Sequence, residues 1–256
     1  DSYTSTTGTY TAGSVNHTIG GNIVRTAGTC TTTGTWTQSG SGSLQWTSTT
    51  TGQFPAEITI NSGITGTLVT GSLFYASKIS GSGTVADGGG TGQLGIWRAV
   101  DNFWTFTGTC SAPVIFFSAT SGVSSGGPIT TEGENFTIQG STGANPMLLD
   151  GHINLKGGAA TAGHFLLSAA SGAVKFDANI YNITANNLTL GHASNAVTLD
   201  LGTGSHTITG AISRGAGSPV INYGSSTIAL GTGGTLNGAS MGRPLGDAAT
   251  GLHPKV

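Results

Sequence analysis

The sequence predicts an almost wholly β chain that passes from an irregular or sandwich-like region into a parallel β-solenoid. Three observations carry this. Gly, Thr and Ser together fill 114 of the 256 positions, and these are poor or indifferent helix formers. Only 18 residues are Asp, Glu, Lys or Arg, too few and too scattered for the ion-paired faces of helical proteins. The 36% of hydrophobic residues fall in short bursts whose members alternate with polar residues, as in Val197-Thr198-Leu199-Asp200-Leu201, which puts the aliphatic side chains on one side of a strand. The same apolar content argues against the disorder that so much Gly and Ser otherwise signals.

Residues 1–125 form the first stretch. Thirteen of the eighteen aromatic residues, among them Trp36, Trp46, Trp97 and Trp104, lie before residue 120, and 96–117 is its most apolar segment. A wider core or an interface is expected there. Runs such as Thr47 to Thr51 and Gly88 to Gly90 break it into uneven pieces with no constant period, and 118–127 (SATSGVSSGG) reads as a boundary or loop.

Residues 126–238 carry the solenoid signal. Ile153, Val174, Val197 and Val220 recur at steps of 21, 23 and 23, and Leu188, Ile208 and Ile228 at steps of 20. A period in the low twenties indicates stacked coils, each contributing short strands to parallel ladders, with Leu199, Ile208, Val220 and Ile228 pointing inward. Gly and Asn are expected at the corners because they tolerate positive φ. A β-sandwich or jelly roll throughout is the alternative, since it also produces short, closely spaced strands.

After Gly238 the alternation stops. The stretch 239–256, with Arg243, Pro244, Leu245, Leu252 and Val256, reads either as a frayed terminus or as an extended assembly arm that covers the chain's own end or adds to a neighbouring subunit.

Cys30 and Cys110 are the only cysteines, and each follows a Gly-Thr pair. A disulfide between them is expected, closing a loop of about 81 residues and stabilising by roughly 4.5 kcal/mol on the chain-entropy account. Such a bond needs an oxidising, extracellular setting. Two buried free thiols are the competing reading. The disulfide excludes a regular solenoid over the same residues, because four coils would separate the sulfurs by roughly 19 Å, beyond the ~7 Å Cα limit. That exclusion is why 1–125 is read as sandwich-like or irregular.

No motif names a reaction, so the chain is expected not to be an enzyme and to need no cofactor. His17, His152, His164, His192, His206 and His253 lack metal-ligand spacing. Asp150, Asp177 and Asp200 lie about one coil apart and form an alternative carboxylate face of the kind glycoside cleavage uses, against which stands the plainer reading of corner or exposed carboxylates. Asn16, Asn135, Asn182 and Asn187 each open an N-x-S/T sequon and are candidate glycosylation sites. The eight basic residues are dispersed and the net charge is −2, which speaks against nucleic acid as a partner. No apolar run approaches the length of a membrane span. The opening on Asp1 without Met fits a cleaved signal peptide or a trimmed chain.

The stretch from Ile183 to Gly238, with ITANNLTLG, VTLDLGTGSHTITG and TIALGTGGTLNG, resembles the repetitive β-solenoid segments of bacterial and archaeal cell-surface adhesins and of phage tail spikes. The resemblance implies a rigid, extracellular or cell-surface, often oligomeric protein, and carries over no catalytic residue. The expected function is a self-assembling structural subunit of a surface filament or fibre whose partner is itself. The alternative is a carbohydrate-binding or carbohydrate-cleaving adhesin or spike on a virion surface, with glycans as partners and the four Trp as sugar platforms.

Overall fold

The computed structural model describes residues 1–47, 52–89, 91–119, 122–133, 135–139, 146–156, 163–169, 172–191, 195–215, 219–231 and 235–236. Every ladder among them is parallel, and no helix occurs. The chain winds as a β-solenoid with three faces. On the first face, Tyr3–Ser5, Ile23–Arg25, Gly42–Trp46, Thr65–Leu68, Thr84–Asp87 and Thr109–Cys110 pair in that order. The Glu132 N–H then donates to the Cys110 carbonyl at 2.7 Å, carrying the face into Ile129–Thr131, Ile153–Leu155, Ile183–Ala185, Ser205–Ile208 and Thr227–Leu230. The second face begins with Thr9–Gly13 and Thr29–Thr32 and continues as eight strands from Leu73–Ala76 to Thr235–Leu236. The third runs from His17–Ile19 to Trp104–Phe106, passes through Ser124 and Ser125, and ends in Met147–Leu148, Val174–Asp177, Val197–Asp200 and Val220–Asn222.

The solenoid expected from residue 126 onward thus begins at Tyr3. The sandwich-like reading of 1–125 gives way to parallel coils; the second-face sheet crosses residue 125 without a break, and individual backbone hydrogen bonds bridge the first and third faces there. Physically, the first half hides its period because its inward columns mix residue types. One column reads His17, Trp36, Ile58, Ile79, Trp104, and another Gly42, Gly66, Val85, Cys110. Most of the aromatic richness builds an interior. Trp36 and Trp46 meet edge-to-face at 5.2 Å, Tyr3 packs on Trp36 at 4.8 Å, and Trp36, Trp46 and Trp104 are fully buried. Each large apolar side chain so buried stabilises by about 1.5–3 kcal/mol.

In the second half the true columns differ from the expected series. Ile129, Ile153 and Ile183 align, as do Phe136, Phe165, Leu188 and Ile212. Val174 and Val197 are register partners, but Ile153 sits on another face and Val220 aligns with Thr198. Leu199, Ile208 and Ile228 are buried as expected. Val220 is 47% exposed, a correction. Coil lengths range from 19 residues between Thr65 and Thr84 to 30 between Ile153 and Ile183, so a fixed period drifts from face to face.

Corner side chains link neighbouring coils. The amide oxygens of Asn16, Asn22, Asn182 and Asn187 accept the backbone N–H groups of Thr35, Ser43, Ser205 and Ala211 in the next coil, at 2.7–2.9 Å. His152 Nδ1 accepts from the Asn182 N–H at 2.9 Å. These groups replace backbone carbonyls where the chain turns and the ladder lapses. Positive φ explains Asn102 and Asn179 but not these four. Buried His206 spans coils likewise, accepting from the Ile183 N–H at Nδ1 and lying 3.0 Å from the Leu201 carbonyl at Nε2. Burial lowers its proton affinity, partly opposed by the Leu201 bond, so the neutral imidazole is the folded form.

Candidate functional site

Cys30 and Cys110 are free and buried, which corrects the expected disulfide. Cys110 stands in a column above Val85, Gly66 and Gly42. The strand that precedes Cys30 lies one rung below Gly42, so four rungs at about 4.8 Å separate the two residues along the axis. The repeated Gly-Thr-Cys arises because both cysteines stand second in a strand, after an opening Thr, and are buried. Burial pushes the Cys110 thiol up to about 12 and also raises Cys30, whose shift a Tyr3 hydrogen bond and the nearby Arg25 guanidinium oppose. Such thiols are poor nucleophiles. Ellman's reagent is therefore expected to find no reactive thiol in the native chain and two after denaturation, and dithiothreitol to leave the Tm unchanged. A bridged Cys30–Cys110 peptide from unreduced protein would contradict both expectations.

The carboxylate face is partly assembled. Asp177 and Asp200 are register partners on the third face, whereas Asp150 follows the strand Met147–Leu148, two positions beyond the partner of Asp177. Each carboxylate already serves its own corner. Asp177 accepts the Asn179 N–H at 2.7 Å, Asp200 accepts from the Asn222 amide, and Asp150 accepts the Gly126 N–H at 3.4 Å. Asp101 caps the same face, and bonds from the Ser124 hydroxyl and N–H hold its carboxyl below the usual range. Among the described residues no three His, Cys, Asp or Glu are grouped to hold a metal ion, and no helix is long and apolar enough to cross a membrane.

The sequons divide by geometry. Asn16 and Asn135 are exposed, although the Asn16 amide oxygen also accepts the Thr35 N–H, whereas Asn182 and Asn187 are half-buried corner acceptors, and the Asn187 amide nitrogen also meets His164 Nδ1 at 3.0 Å. Three of the four Trp are sealed in the core and cannot stack on a sugar. The assembly-arm residues Arg243, Pro244, Leu245, Leu252 and Val256 lie outside the described residues, as do His192 and His253.

Two surface features remain, of which the first was not legible in the sequence and the second matches an expected uncharged last strand at Thr227–Leu230. An open groove of about 480 Å³ runs over the middle of the first face, lined by Thr84, Thr109, Thr130, Phe106 and Pro128 and closed by Glu132 and Lys156. That pair is a surface ion pair at 3.4 Å. The other feature is the pair of solenoid ends. The Tyr3 N–H donates to the Asn22 carbonyl; strand alternation therefore aims the Thr4 N–H and carbonyl away from the second coil. No described residue pairs with the outer edges of Tyr3–Ser5, Thr9–Gly13 or His17–Ile19. Tyr10 and Val15 in this first coil are 40% and 59% exposed. At the other end, Val220–Asn222, Thr227–Leu230 and Thr235–Leu236 are the last strands of the three faces among the described residues, and none carries a charge.

No protein family, curated protein or solved structure matches this chain. The functional reading therefore rests on the coils and their ends.

Proposed function

We propose that the chain is an extracellular structural protein that stacks coil on coil into a surface filament or fibre. The supporting observation is the pair of uncharged parallel strand edges at the two ends of one three-faced cross-section. An edge of this kind is a template for another chain, and soluble proteins usually blunt it with charge, Pro or a covering segment. The last strands of one copy and the first strands of the next supply matching faces, and head-to-tail addition that does not close yields a filament.

The first face carries eleven strands, so stacked subunits should repeat every ~50 Å at about 4.8 Å per strand. Negative-stain microscopy and light scattering of the purified chain are expected to show filaments with that repeat. Thr4→Pro removes only an outward N–H and is expected to abolish assembly while preserving the Tm. A wild-type chain that stays monomeric at high concentration would refute the reading.

A second reading, a glycan-binding surface protein, is favoured by the groove of threonine hydroxyls around Phe106 and Pro128. Its polar, nearly charge-neutral lining suits a polyhydroxylated ligand.

A further inference from the structure

The outward positions of the first and third faces bear hydroxyls. Thr65, Thr84, Thr109 and Thr130 share one column, and Thr18, Thr37, Thr59, Ser80 and Thr105 another. The second face breaks this rule. Its outer side gathers Leu73, Tyr75, Trp97, Ile115, Phe117 and Leu166. Trp97 and Phe117 rings lie 5.0 Å apart, and Tyr75 packs against Phe117 at 5.8 Å and Trp97 at 6.2 Å. A Cβ on Gly95 would stand 2.8 Å from the Tyr75 ring, so the glycine lets the rings close down on the sheet. The strand Gln93–Ala99 shifts register on both sides of Trp97 and places Arg98 at a φ of 53°. The Trp97 indole N–H has no acceptor among the described residues. Tyr75 is itself buried, and Leu73, Trp97, Ile115, Phe117 and Leu166 are half-buried; a contiguous half-exposed apolar strip of this kind marks a place where something binds.

We propose that this patch seats the segment 239–256 of this chain. That segment follows Thr235–Leu236, the last strand of the very sheet that bears the patch. The patch residues lie three to seven strands away, about 15–35 Å at the sheet spacing, while eighteen extended residues reach about 60 Å. The segment supplies Met241, Leu245, Leu252 and Val256 as apolar anchors, and Pro244 and Pro254 disfavour a helix. It is not required at the strand edges, because Thr227–Leu230 and Thr235–Leu236 already present strands there. Where the segment crosses to a neighbouring copy, the inference rests on the filament reading; where it lies on its own sheet, it stands without it.

The test places a photo-crosslinking benzoylphenylalanine at Leu245 or Leu252 of the full chain, using equal amounts of ¹⁴N- and ¹⁵N-labelled protein. Crosslinks are expected on the peptides containing Trp97, Ile115, Phe117 or Leu166. The double change Trp97→Ser with Phe117→Ser, at half-buried positions of the outer side, is expected to cut their yield about tenfold or more, as removal of two aromatic anchors does in small interfaces, with the circular-dichroism strand signal retained at the labelling temperature. Crosslinks on the first coil or on the other two faces, no crosslinks, or an undiminished yield in the double variant would overturn the proposal. The isotope distribution separates the two readings: mixed-label products support assembly, and same-label products on the patch keep the seat while counting against the arm in a filament.

Discussion

Leu199→Asp is expected to unfold the second half of the solenoid. Leu199 is fully buried and sits in a column between Phe176 and Ile221. A carboxylate there meets neither water nor a partner, and such burial costs several kcal/mol on top of the ~2 kcal/mol of lost apolar burial. Against a total stability of about 5–15 kcal/mol, that is decisive. Thr198→Asp and Thr209→Asp, at half-buried and exposed positions, should each change stability by about 0.5 kcal/mol or less. Val220→Asp belongs with them because its side chain faces solvent. Urea midpoints at constant m-value measure the differences. Similar losses at Leu199 and Thr198 would show that the inward register is wrong.

The second large effect is expected from one missing side chain at a corner. Asn179, Gly202 and Gly224 stack one above another, all with positive φ, and a Cβ on Gly202 would lie 1.8 Å from the Asn179 carbonyl oxygen. That oxygen already accepts the Thr203 N–H at 2.8 Å. Gly202→Ala must therefore bear the ~1–2 kcal/mol of left-handed strain and also force two coils apart, for an expected loss above ~3 kcal/mol. Gly63→Ala is the control: its φ is +73°, but nothing lies within 4 Å of its would-be Cβ, so only the strain of ~1–2 kcal/mol applies. Equal Tm values for the two variants would remove close coil approach as the reason for glycine at residue 202.

Strand character and coiling were legible because alternation is a local signal. Val197 to Asp200 reads as a half-buried strand without knowledge of its neighbours, and its buried and half-buried positions follow that reading. Which strands stack on which was less legible, because corners of unequal length shift the phase between coils. Ile153 and Val174 are one expected period apart yet lie on different faces. In the first half the inward columns mix residue types and sizes. Gly66, Val85 and Cys110 occupy equivalent places in successive coils, so no search for recurring aliphatics finds them. The disulfide expectation failed for the same reason: the shared Gly-Thr-Cys context reports a shared strand position, not a partnership. The segment 96–117 was legible as core or interface, but not which of its residues face outward: Tyr75, Trp97, Ile115 and Phe117 stand beside inward Phe74, Ile96, Val114 and Phe116, and in a dense apolar run the outer members cannot be told from the inner ones without the register.

That every ladder is parallel has a consequence for symmetry. Each coil advances along the axis in the same sense as the last, so the two termini of the molecule are chemically distinct surfaces, and the whole has a direction. A two-fold axis joining two first coils would set strands antiparallel and break the continuity of all three faces. Only translation along the axis, with or without rotation about it, preserves the ladder. Any polymer that extends these sheets is therefore a vector with unlike tips, free to grow at different rates at its two ends and able to carry an orientation outward from whatever anchors it.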